Sequence, residues 1–257
     1  MDELLNVALV QTSLAWEDPK ANRAELDTKL EALTSDIDLI VLPEMFTTGF
    51  TMSPQNVGKE EGQKTLAWMQ QKAKEKDVAL VGSIVFYEND TYTNRLFFVE
   101  PDGKTSIYDK RHTFTLAGED KVYQAGKERL IVNYKGFKIC PMICYDLRFP
   151  VWARNTEDYD VLIYVANWPE PRITAWDTLL KARAIENMTH CIGVNRIGSD
   201  EVGHKYPGHS VVFDGLGKKL IFSTKEEIVT TSLSKKHIHE VRNKLKFLND
   251  RDYFTLE

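Results

Sequence analysis

The sequence Lys138-Ile-Cys-Pro-Met-Ile-Cys-Tyr-Asp-Leu-Arg-Phe-Pro150 is an apolar run that changes abruptly to polar residues. Its apolar part is typical of a strand buried on both faces, and we predict that strand over residues 137–143. The polar part predicts a turn at Cys144, followed by a helix over residues 148–155. Cys140 and Cys144 are two of only three cysteines in the chain. They could form a metal or redox pair, they could both be buried apolar residues, or one could be a nucleophile.

Short apolar strands alternate with helices on both sides of this stretch. The predicted strands are 6–11, 38–42, 78–86, 93–99, 130–134, 137–143, 161–165, 191–195, 210–213, 219–222 and 228–233. The predicted helices are 19–33, 61–76, 148–155, 174–188 and 235–247. Each half of the chain therefore runs strand, helix, strand, helix, strand and hairpin. Strands that are apolar on both faces need covering layers, so we predict an α/β fold of two packed sheets with outer helices. No low-complexity linker separates the halves, which predicts a single domain over residues 1–257.

The composition argues against several classes of protein. The formal net charge of the 257 residues is −5, and no block of basic residues offers a nucleic-acid surface. The N-terminus is acidic where a signal peptide is basic, and the longest apolar run, residues 161–166, is too short to span a membrane. Few cysteines, in odd number, argue against a disulfide framework. We expect a cytoplasmic, reduced protein that binds neither nucleic acid nor membrane.

The common cofactor and metal motifs are missing from the sequence. There is no G-x-S-x-G elbow, P-loop, G-x-G-x-x-G or H-E-x-x-H pattern. Cys140 and Cys144 are spaced C-x-x-x-C, with no second pair of ligands downstream, which argues against a zinc site. We therefore expect no metal and no cofactor.

Two of the three candidate site residues, Cys144 and Glu44, lie at the ends of predicted strands. Cys144 would have backbone N–H groups aimed at it, which favours a thiolate and a developing oxyanion. Glu44 follows five apolar residues, and poor hydration there favours proton uptake by a general base. Lys110 follows the second strand of a hairpin. Taken singly, Cys144 could equally be an ordinary turn residue, Glu44 a helix cap or a member of an ion pair, and Lys110 a solvated surface lysine. Cys140 is expected to be a small buried apolar residue.

Together these positions resemble a known family. Leu-Pro-Glu44, Tyr-Asp-Lys110 and Ile-Cys144-Tyr-Asp-Leu-Arg-Phe-Pro150 are similar, in order and separation, to the Glu–Lys–Cys motifs of the nitrilase superfamily. The similarity extends along the chain, to residues 181–187, 194–196 and 209–210. Tyr-Asp-Lys-Arg-His-Thr-Phe and Ala-Asn-Trp-Pro are most like the ω-amidase branch. That resemblance implies hydrolysis of the terminal amide of small 2-oxo dicarboxylic monoamides, such as 2-oxoglutaramate and 2-oxosuccinamate.

The resemblance also implies an architecture. It suggests a four-layer αββα sandwich, in agreement with the two similar halves. It further suggests a homodimer that buries the C-terminal segment, about residues 235–257. A dimer interface would cover the apolar residues Phe247, Leu248, Tyr253 and Phe254, which otherwise form an exposed tail.

The resemblance assigns a role to each site residue. Cys144 attacks the amide carbonyl to form a thioester, and Glu44 moves the protons. Lys110 and the backbone N–H of Tyr145 hold the oxyanion. Glu119 fits a second glutamate that orients Lys110. Two further residues near the nucleophile, Asp146 and Arg148, are expected to support the turn rather than react.

An ω-amidase substrate also needs a cation for its distant carboxylate. An arginine fork suits a carboxylate because it can donate two parallel hydrogen bonds. Arg172, in the loop that begins at Asn167, is the candidate, with Trp168 as an apolar wall. Arg111 is a weaker alternative, and an arginine in solvent is as consistent with the sequence.

Pro141 departs from the pattern, since the family commonly has a small residue there. Proline cannot donate to a strand ladder, so we predict a sheet edge or a bulge at this position.

Three alternatives to an ω-amidase remain open from the sequence. The chain could be another aliphatic amidase or an N-carbamyl amide hydrolase of the same superfamily. It could be a non-catalytic binding protein on the same scaffold, although such a protein has no need for Glu44, Lys110 and Cys144 together. It could also be a thiol redox protein that uses Cys140 and Cys144.

Overall fold

The structure, a computed structural model, describes residues 3–33 and 36–255. The strands are β1 (Leu4–Gln11), β2 (Leu39–Val41), β3 (Ala79–Glu88), β4 (Thr91–Val99), β5 (Thr105–Asp109), β6 (Val132–Tyr134), β7 (Phe137–Ile143), β8 (Val161–Ala166), β9 (His190–Asn195), β10 (Ile197–Ser199), β11 (Lys205–Pro207), β12 (Ser210–Phe213), β13 (Lys219–Ser223) and β14 (Glu227–Ser234). The α-helices are α1 (Pro19–Glu31), α2 (Glu61–Lys76), α3 (Ile173–Asn187) and α4 (Lys235–Leu245). None of the helices in these ranges is both long and apolar enough to cross a membrane.

Two six-stranded sheets form the centre of the molecule. The first has the strand order β14-β1-β2-β3-β4-β5, and the second has the order β13-β12-β9-β8-β7-β6. The middle of each sheet is parallel, through β1, β2 and β3 in the first and β7, β8 and β9 in the second. β14 returns from the second half of the chain to pair antiparallel with β1 along its full length. The predicted pair of similar halves is confirmed.

Each sheet is covered on both faces. Alternate residues of β1 illustrate this, because Leu5, Val7 and Leu9 enter the core between the sheets, whereas Ala8 and Val10 pack towards the helices. Helices α1 and α2 cover the outer face of the first sheet. Helix α3 covers the second sheet with Trp176, Leu180 and Ala184. The predicted four-layer αββα sandwich is therefore confirmed.

The helix predicted over residues 148–155 is wrong. The structure has one turn of 3-10 helix at Cys144–Arg148, followed by turns. Pro150 explains the difference, because proline disfavours the helical conformation of the residue before it. Phe149 accordingly has φ −114° and ψ 86°, and the helix cannot continue through it.

Pro141 lies at a sheet edge, as its missing N–H predicts. β7 pairs with β8 along its length, and Pro141 is opposite Ile163 there. On its other side β7 pairs with β6 only over residues 137–139. Pro141 is therefore beyond the end of β6, where no ladder partner needs its N–H. The pairing with β8 has no bulge at this position.

The C-terminal helix packs on a buried histidine. His190, at the start of β9, is buried, and its Nε2 lies 3.1 Å from the carbonyl oxygen of Ser234. The His237 ring on α4 has its centroid 6.1 Å from that of His190. Burial lowers the pKa of His190, and the His237 ring adds to this, while the Ser234 carbonyl acts in the opposite direction. The folded protein therefore holds His190 neutral.

We expect this histidine to make the protein less stable in mild acid. Below the ordinary histidine pKa of 6.5, the unfolded chain binds a proton that the folded chain excludes. The free energy of unfolding should fall between about pH 7.5 and about pH 5.5, with His190 contributing at most about 1.4 kcal/mol. In urea titrations, His190→Gln should lose this contribution because glutamine does not titrate. Its side-chain amide keeps a donor for the Ser234 carbonyl, so the contact itself is retained. The exposed His239→Gln is the control and should behave like wild type. The same pH dependence in His190→Gln would show that another group is responsible.

Candidate active site

Glu44 lies beyond the end of β2, and its carboxylate is completely buried between the two sheets. Its Oε1 accepts hydrogen bonds from Lys110 Nζ at 2.8 Å and Asn94 Nδ2 at 2.9 Å. Its Oε2 accepts one from the backbone N–H of Asn167 at 2.8 Å. A carboxylate can accept about four hydrogen bonds. One position on Oε2 therefore remains, and the Cys144 thiol is the neighbouring group whose pKa this carboxylate raises.

Lys110 follows β5 directly, and its ammonium is buried against two carboxylates. Nζ lies 2.8 Å from Glu44 Oε1 and 2.9 Å from Glu119 Oε2. Burial acts to lower the pKa of Lys110, but the charges of Glu119 and Glu44 outweigh it and raise that pKa. Lys110 is therefore an ammonium with three N–H groups. Two are directed to the glutamates, which leaves one for another acceptor.

Glu119 lies on a short 3-10 helix, Glu119–Lys121, with its carboxylate fully buried. Both of its oxygens contact Lys110 Nζ, at 3.0 and 2.9 Å. Asn94 Nδ2 donates to Oε1 at 3.2 Å and the Phe114 N–H donates to Oε2 at 2.5 Å. Burial raises the pKa of Glu119, opposed by Lys110 and reinforced by Glu44. With about four acceptor positions occupied, this carboxylate is suited to orienting Lys110.

Cys144 occupies the turn between β7 and the 3-10 helix, with its backbone at φ +42°. This left-handed conformation is rare outside glycine and is typical of strained functional turns. Burial raises the pKa of the Cys144 thiol well above its ordinary value, as does the Glu44 carboxylate, while Lys110 lowers it. The expectation that the turn alone favours a thiolate is therefore wrong. Cys144 is at rest a thiol beside the Glu44 carboxylate.

Tyr145 is the second residue of this 3-10 helix and lines the same cavity. Backbone N–H groups in the first turn of a helix have no carbonyl partner within the helix. The Tyr145 N–H and the third N–H of Lys110 are thus two donors beside the thiol. Together they can stabilise negative charge that develops on a carbonyl oxygen.

The cluster opens into a cavity of about 550 Å³. Glu44, Lys110 and Cys144 form part of its wall. The mouth is bordered by Leu116 and Val202, two exposed apolar side chains. Val202 belongs to the loop between β10 and β11, a short two-stranded sheet that the sequence did not predict. The cavity is large enough for a small organic substrate.

Two arginines line this cavity. The guanidinium of Arg172 lies over the Phe114 ring at 5.2 Å, and that of Arg148 lies over the Trp168 ring at 4.9 Å. In residues 3–33 and 36–255, neither guanidinium has a carboxylate partner. Both can therefore receive an anionic ligand.

The structure shows which of three nearby arginines line the cavity. Arg172 is in the cavity, as the sequence suggested. Arg148 is there as well, so its assignment to support of the turn alone is corrected. Arg111 does not line the cavity, because its Nη1 donates to the Gly126 carbonyl at 3.3 Å and its guanidinium lies over Trp152. Trp168 is buried in the cavity wall and donates from Nε1 to the Arg172 carbonyl at 2.8 Å.

Two site residues were missed from the sequence, Asn94 and Asn167. Asn94, on β4, donates to both glutamates. Asn167 follows β8 and, besides its N–H contact, donates from Nδ2 to the Glu44 carbonyl at 2.6 Å. Asn167 directly follows the apolar run 161–166, the same pattern that drew attention to Glu44, so that pattern could have found it. Asn94 lies between Thr93 and Arg95, and no such pattern marks it.

The other two cysteines are remote from this chemistry. Cys140 and Cys191 are completely buried within β7 and β9. Four residues of strand separate the Cα atoms of Cys140 and Cys144 by about 13 Å, beyond the reach of a disulfide. Among the residues described, no three His, Cys, Asp or Glu side chains are grouped so that they could hold a metal ion.

A sequence model of the family described as "Carbon-nitrogen hydrolase" matches residues 6–243. The chain belongs to the carbon–nitrogen hydrolase family. Curated relatives cover nearly the whole of this carbon–nitrogen hydrolase. The ω-amidase YafV of Yersinia enterocolitica is 42% identical over 254 residues, with 98% of each chain covered. The 2-oxoglutaramate amidase of Bacillus subtilis is 31% identical, with 95% of this chain and 96% of the relative covered.

Solved structures agree with the fold of this hydrolase. A CN-hydrolase superfamily protein from Xanthomonas campestris, solved with an arsenic adduct in its active site, is 40% identical, with a TM-score of 0.96 and full coverage of both chains. Nit3 of Saccharomyces cerevisiae, a member of the nitrilase superfamily, is 24% identical and has a TM-score of 0.84, with 95% and 94% covered. The second likeness concerns the fold alone. The family expected from the sequence, that of the carbon–nitrogen hydrolases, is confirmed by the family model and the curated relatives.

Proposed function

We propose that this carbon–nitrogen hydrolase is an ω-amidase, which cleaves the terminal amide of 2-oxo dicarboxylic monoamides such as 2-oxoglutaramate. The observation that carries the proposal is the pair of arginines in the cavity of Cys144, Glu44 and Lys110, which have no carboxylate partner among the residues that the structure describes. A substrate of this class has an amide at one end for the thiol and a carboxylate at the other for a guanidinium. The relatives named ω-amidase and 2-oxoglutaramate amidase support the same substrate class.

In the first half of the proposed reaction, Glu44 takes the thiol proton as the sulfur of Cys144 attacks the amide carbon. The carbonyl oxygen gains negative charge, and Lys110 and the Tyr145 N–H donate to it. When the tetrahedral intermediate collapses, Glu44 returns the proton to the leaving nitrogen. Ammonia departs and a thioester remains on Cys144.

In the second half, a water molecule gives a proton to Glu44 and attacks the thioester carbon. The same two donors hold the second oxyanion. Collapse breaks the carbon–sulfur bond, releases the acid and returns the proton to the thiol. Glu119 keeps Lys110 in place throughout, because its own oxygens are fully hydrogen-bonded.

The first prediction concerns the nucleophile and its base. Cys144→Ala should abolish ammonia release from 2-oxoglutaramate, because no thioester can form. Glu44→Gln should lower kcat by about 10³-fold, because the amide cannot accept the thiol proton. Ammonia release should be measured together with the thermal unfolding midpoint, since both variants are expected to fold.

Cys140→Ala is the matched control for these variants. Cys140 is buried in β7 away from the cavity, so its replacement should lower stability and leave kcat near that of wild type. Full activity of Cys144→Ala would disprove the mechanism. N-carbamyl amino acids hydrolysed as fast as 2-oxoglutaramate would refute the substrate assignment and leave a less selective amidase.

The second prediction concerns the substrate carboxylate. Arg148→Met and Arg172→Met keep the length of the side chain and remove its charge. At least one should raise KM for 2-oxoglutaramate by about 10- to 100-fold, the value of a charged hydrogen bond, with a smaller change in kcat. KM for a neutral short amide should stay unchanged.

Arg111→Met is the control, because this arginine lies outside the cavity. A rise in KM of the same size for both charged and neutral amides in the Arg148 and Arg172 variants would argue for lost packing instead. A rise confined to Arg111→Met would transfer the role to that residue.

We also propose that the protein is a homodimer, with the C-terminal segment in its interface. Phe247, Tyr253 and Phe254 are exposed in the single chain, while Leu248 packs inside. Residues 256 and 257, the end of that segment, lie outside the described residues. Exposed aromatic residues on one short segment are typical of interfaces. As part of the same proposal the protein is cytoplasmic, because its three cysteines are unpaired.

The interface predicts a change of mass in solution. Light scattering after gel filtration should give twice the chain mass of 29.5 kDa for wild type. Phe247→Glu together with Tyr253→Glu should shift the protein to the monomer, because buried charge opposes association. Ile107→Glu, at a half-exposed apolar position on β5, should stay dimeric. A monomeric wild type would disprove the interface.

A further inference from the structure

A buried carboxylate, Asp146, lies directly behind the nucleophile turn. Its Oδ2 accepts hydrogen bonds from the Ile143 N–H at 3.1 Å and the Tyr108 hydroxyl at 2.7 Å. Its Oδ1 accepts the His112 N–H at 3.0 Å and lies 2.8 Å from His112 Nδ1. Asp146 has no exposed surface. All four of its acceptor positions are therefore used by the protein itself.

These partners come from both sides of the reacting cluster. Tyr108 and His112 stand two residues before and two residues after Lys110. Ile143 is one residue before Cys144, and Asp146 is two residues after it. One carboxylate thus joins the backbone that carries the ammonium to the backbone that carries the thiol.

The partners are themselves held in place. The Tyr108 hydroxyl also accepts from Trp152 Nε1 at 3.0 Å. The His112 ring is stacked on Phe149, with centroids 3.7 Å apart and planes 4° from parallel. Buried, fully bonded networks of this kind are rigid, since each unpaired member would be costly.

We propose that Asp146 is a positioning residue that fixes Lys110 relative to Cys144, and that His112 is the partner through which it does so. This inference rests on the proposed function, because it gives Lys110 and Cys144 their roles. A carboxylate that only capped the turn would need the Ile143 N–H alone. The contacts with Tyr108 and His112 are unnecessary for a cap and necessary for a link to Lys110.

The link has a chemical consequence. Lys110 lowers the pKa of the Cys144 thiol against burial and Glu44, and it donates to the oxyanion in the proposed mechanism. A small displacement of Lys110 would weaken both effects while leaving the arginines of the cavity in place. Loss of the link should therefore lower kcat and leave KM nearly unchanged.

Two variants of matched shape test the link. Asparagine carries Nδ2 where histidine carries Nδ1, so His112→Asn keeps the donor to Asp146, whereas His112→Leu has the same shape without it. Both lose the stacking on Phe149. His112→Leu should lower kcat for 2-oxoglutaramate by about 10- to 100-fold with KM within about twofold, and His112→Asn should recover most of kcat.

His209→Asn is the control, because His209 Nδ1 contacts Asp177 at 3.0 Å in a similar pair remote from the cavity. Its left-handed backbone, φ +65°, suits asparagine, and kcat should not change. Equal kcat in His112→Leu and His112→Asn, whether normal or reduced, would overturn the proposal, because the hydrogen bond would then make no difference.

Alkylation of Cys144 by iodoacetamide separates this proposal from the proposed function. Followed by intact-protein mass, alkylation should be about tenfold slower in His112→Leu than in His112→Asn, since it depends on the effect of Lys110 on the thiol. If the wild type releases no ammonia but the two variants still differ in alkylation rate, the ω-amidase is refuted and the positioning role is retained. If the wild type releases ammonia but the two variants are alkylated at the same rate, the positioning role is refuted and the ω-amidase is retained.

Discussion

The buried ammonium of Lys110 between the carboxylates of Glu44 and Glu119 is the interaction on which the rest of the site depends. A charge without hydration is tolerated inside a protein only when it is paired and fully hydrogen-bonded. Here Nζ lies within 3.0 Å of both glutamates, and Asn94 and two backbone N–H groups occupy further carboxylate positions. Removal of Lys110 would leave two buried carboxylates without a counter-charge. The cluster therefore constrains the segments that carry it.

Those segments meet because of the way the sheets are stacked. Glu44, Lys110, Cys144 and Asn167 each follow the carboxyl end of a strand, in β2 and β5 of the first sheet and in β7 and β8 of the second. Carboxyl ends of neighbouring strands gather at one edge of a sheet, where α/β proteins commonly bind ligands. Packing the two sheets face to face brings the two edges together. The cavity is the gap between them.

The protonation states of the groups in the cluster suit the proposed chemistry. The thiol of Cys144 is protonated at rest, because burial and Glu44 raise its pKa. A protonated thiol needs a neighbouring base to take its proton before it can act as a nucleophile, and Glu44 is the neighbouring carboxylate. Since Lys110 keeps its proton and Glu119 is fully bonded, Glu44 is left as the group that exchanges protons in the proposed mechanism.

The sequence by itself determined the layers of the fold and pointed to the residues that react in the proposed mechanism. Strands apolar on both faces require covering layers on both sides. The motifs that contain Glu44, Lys110 and Cys144 can be recognised in the sequence alone. The helix predicted from the local sequence over residues 148–155 was wrong, because Pro150 prevents it.

Only the tertiary structure decided which distant residues meet. Asn94 and Asn167 complete the Glu44 site from two different sheets, and no spacing rule relates them to it. Arg148 faces the cavity because the 3-10 turn directs it onto Trp168, whereas Arg111, next to Lys110, turns away towards Trp152. The state of the thiol also depends on burial and on charges distant in sequence. Such properties come from long-range packing, which the local pattern of a sequence does not encode.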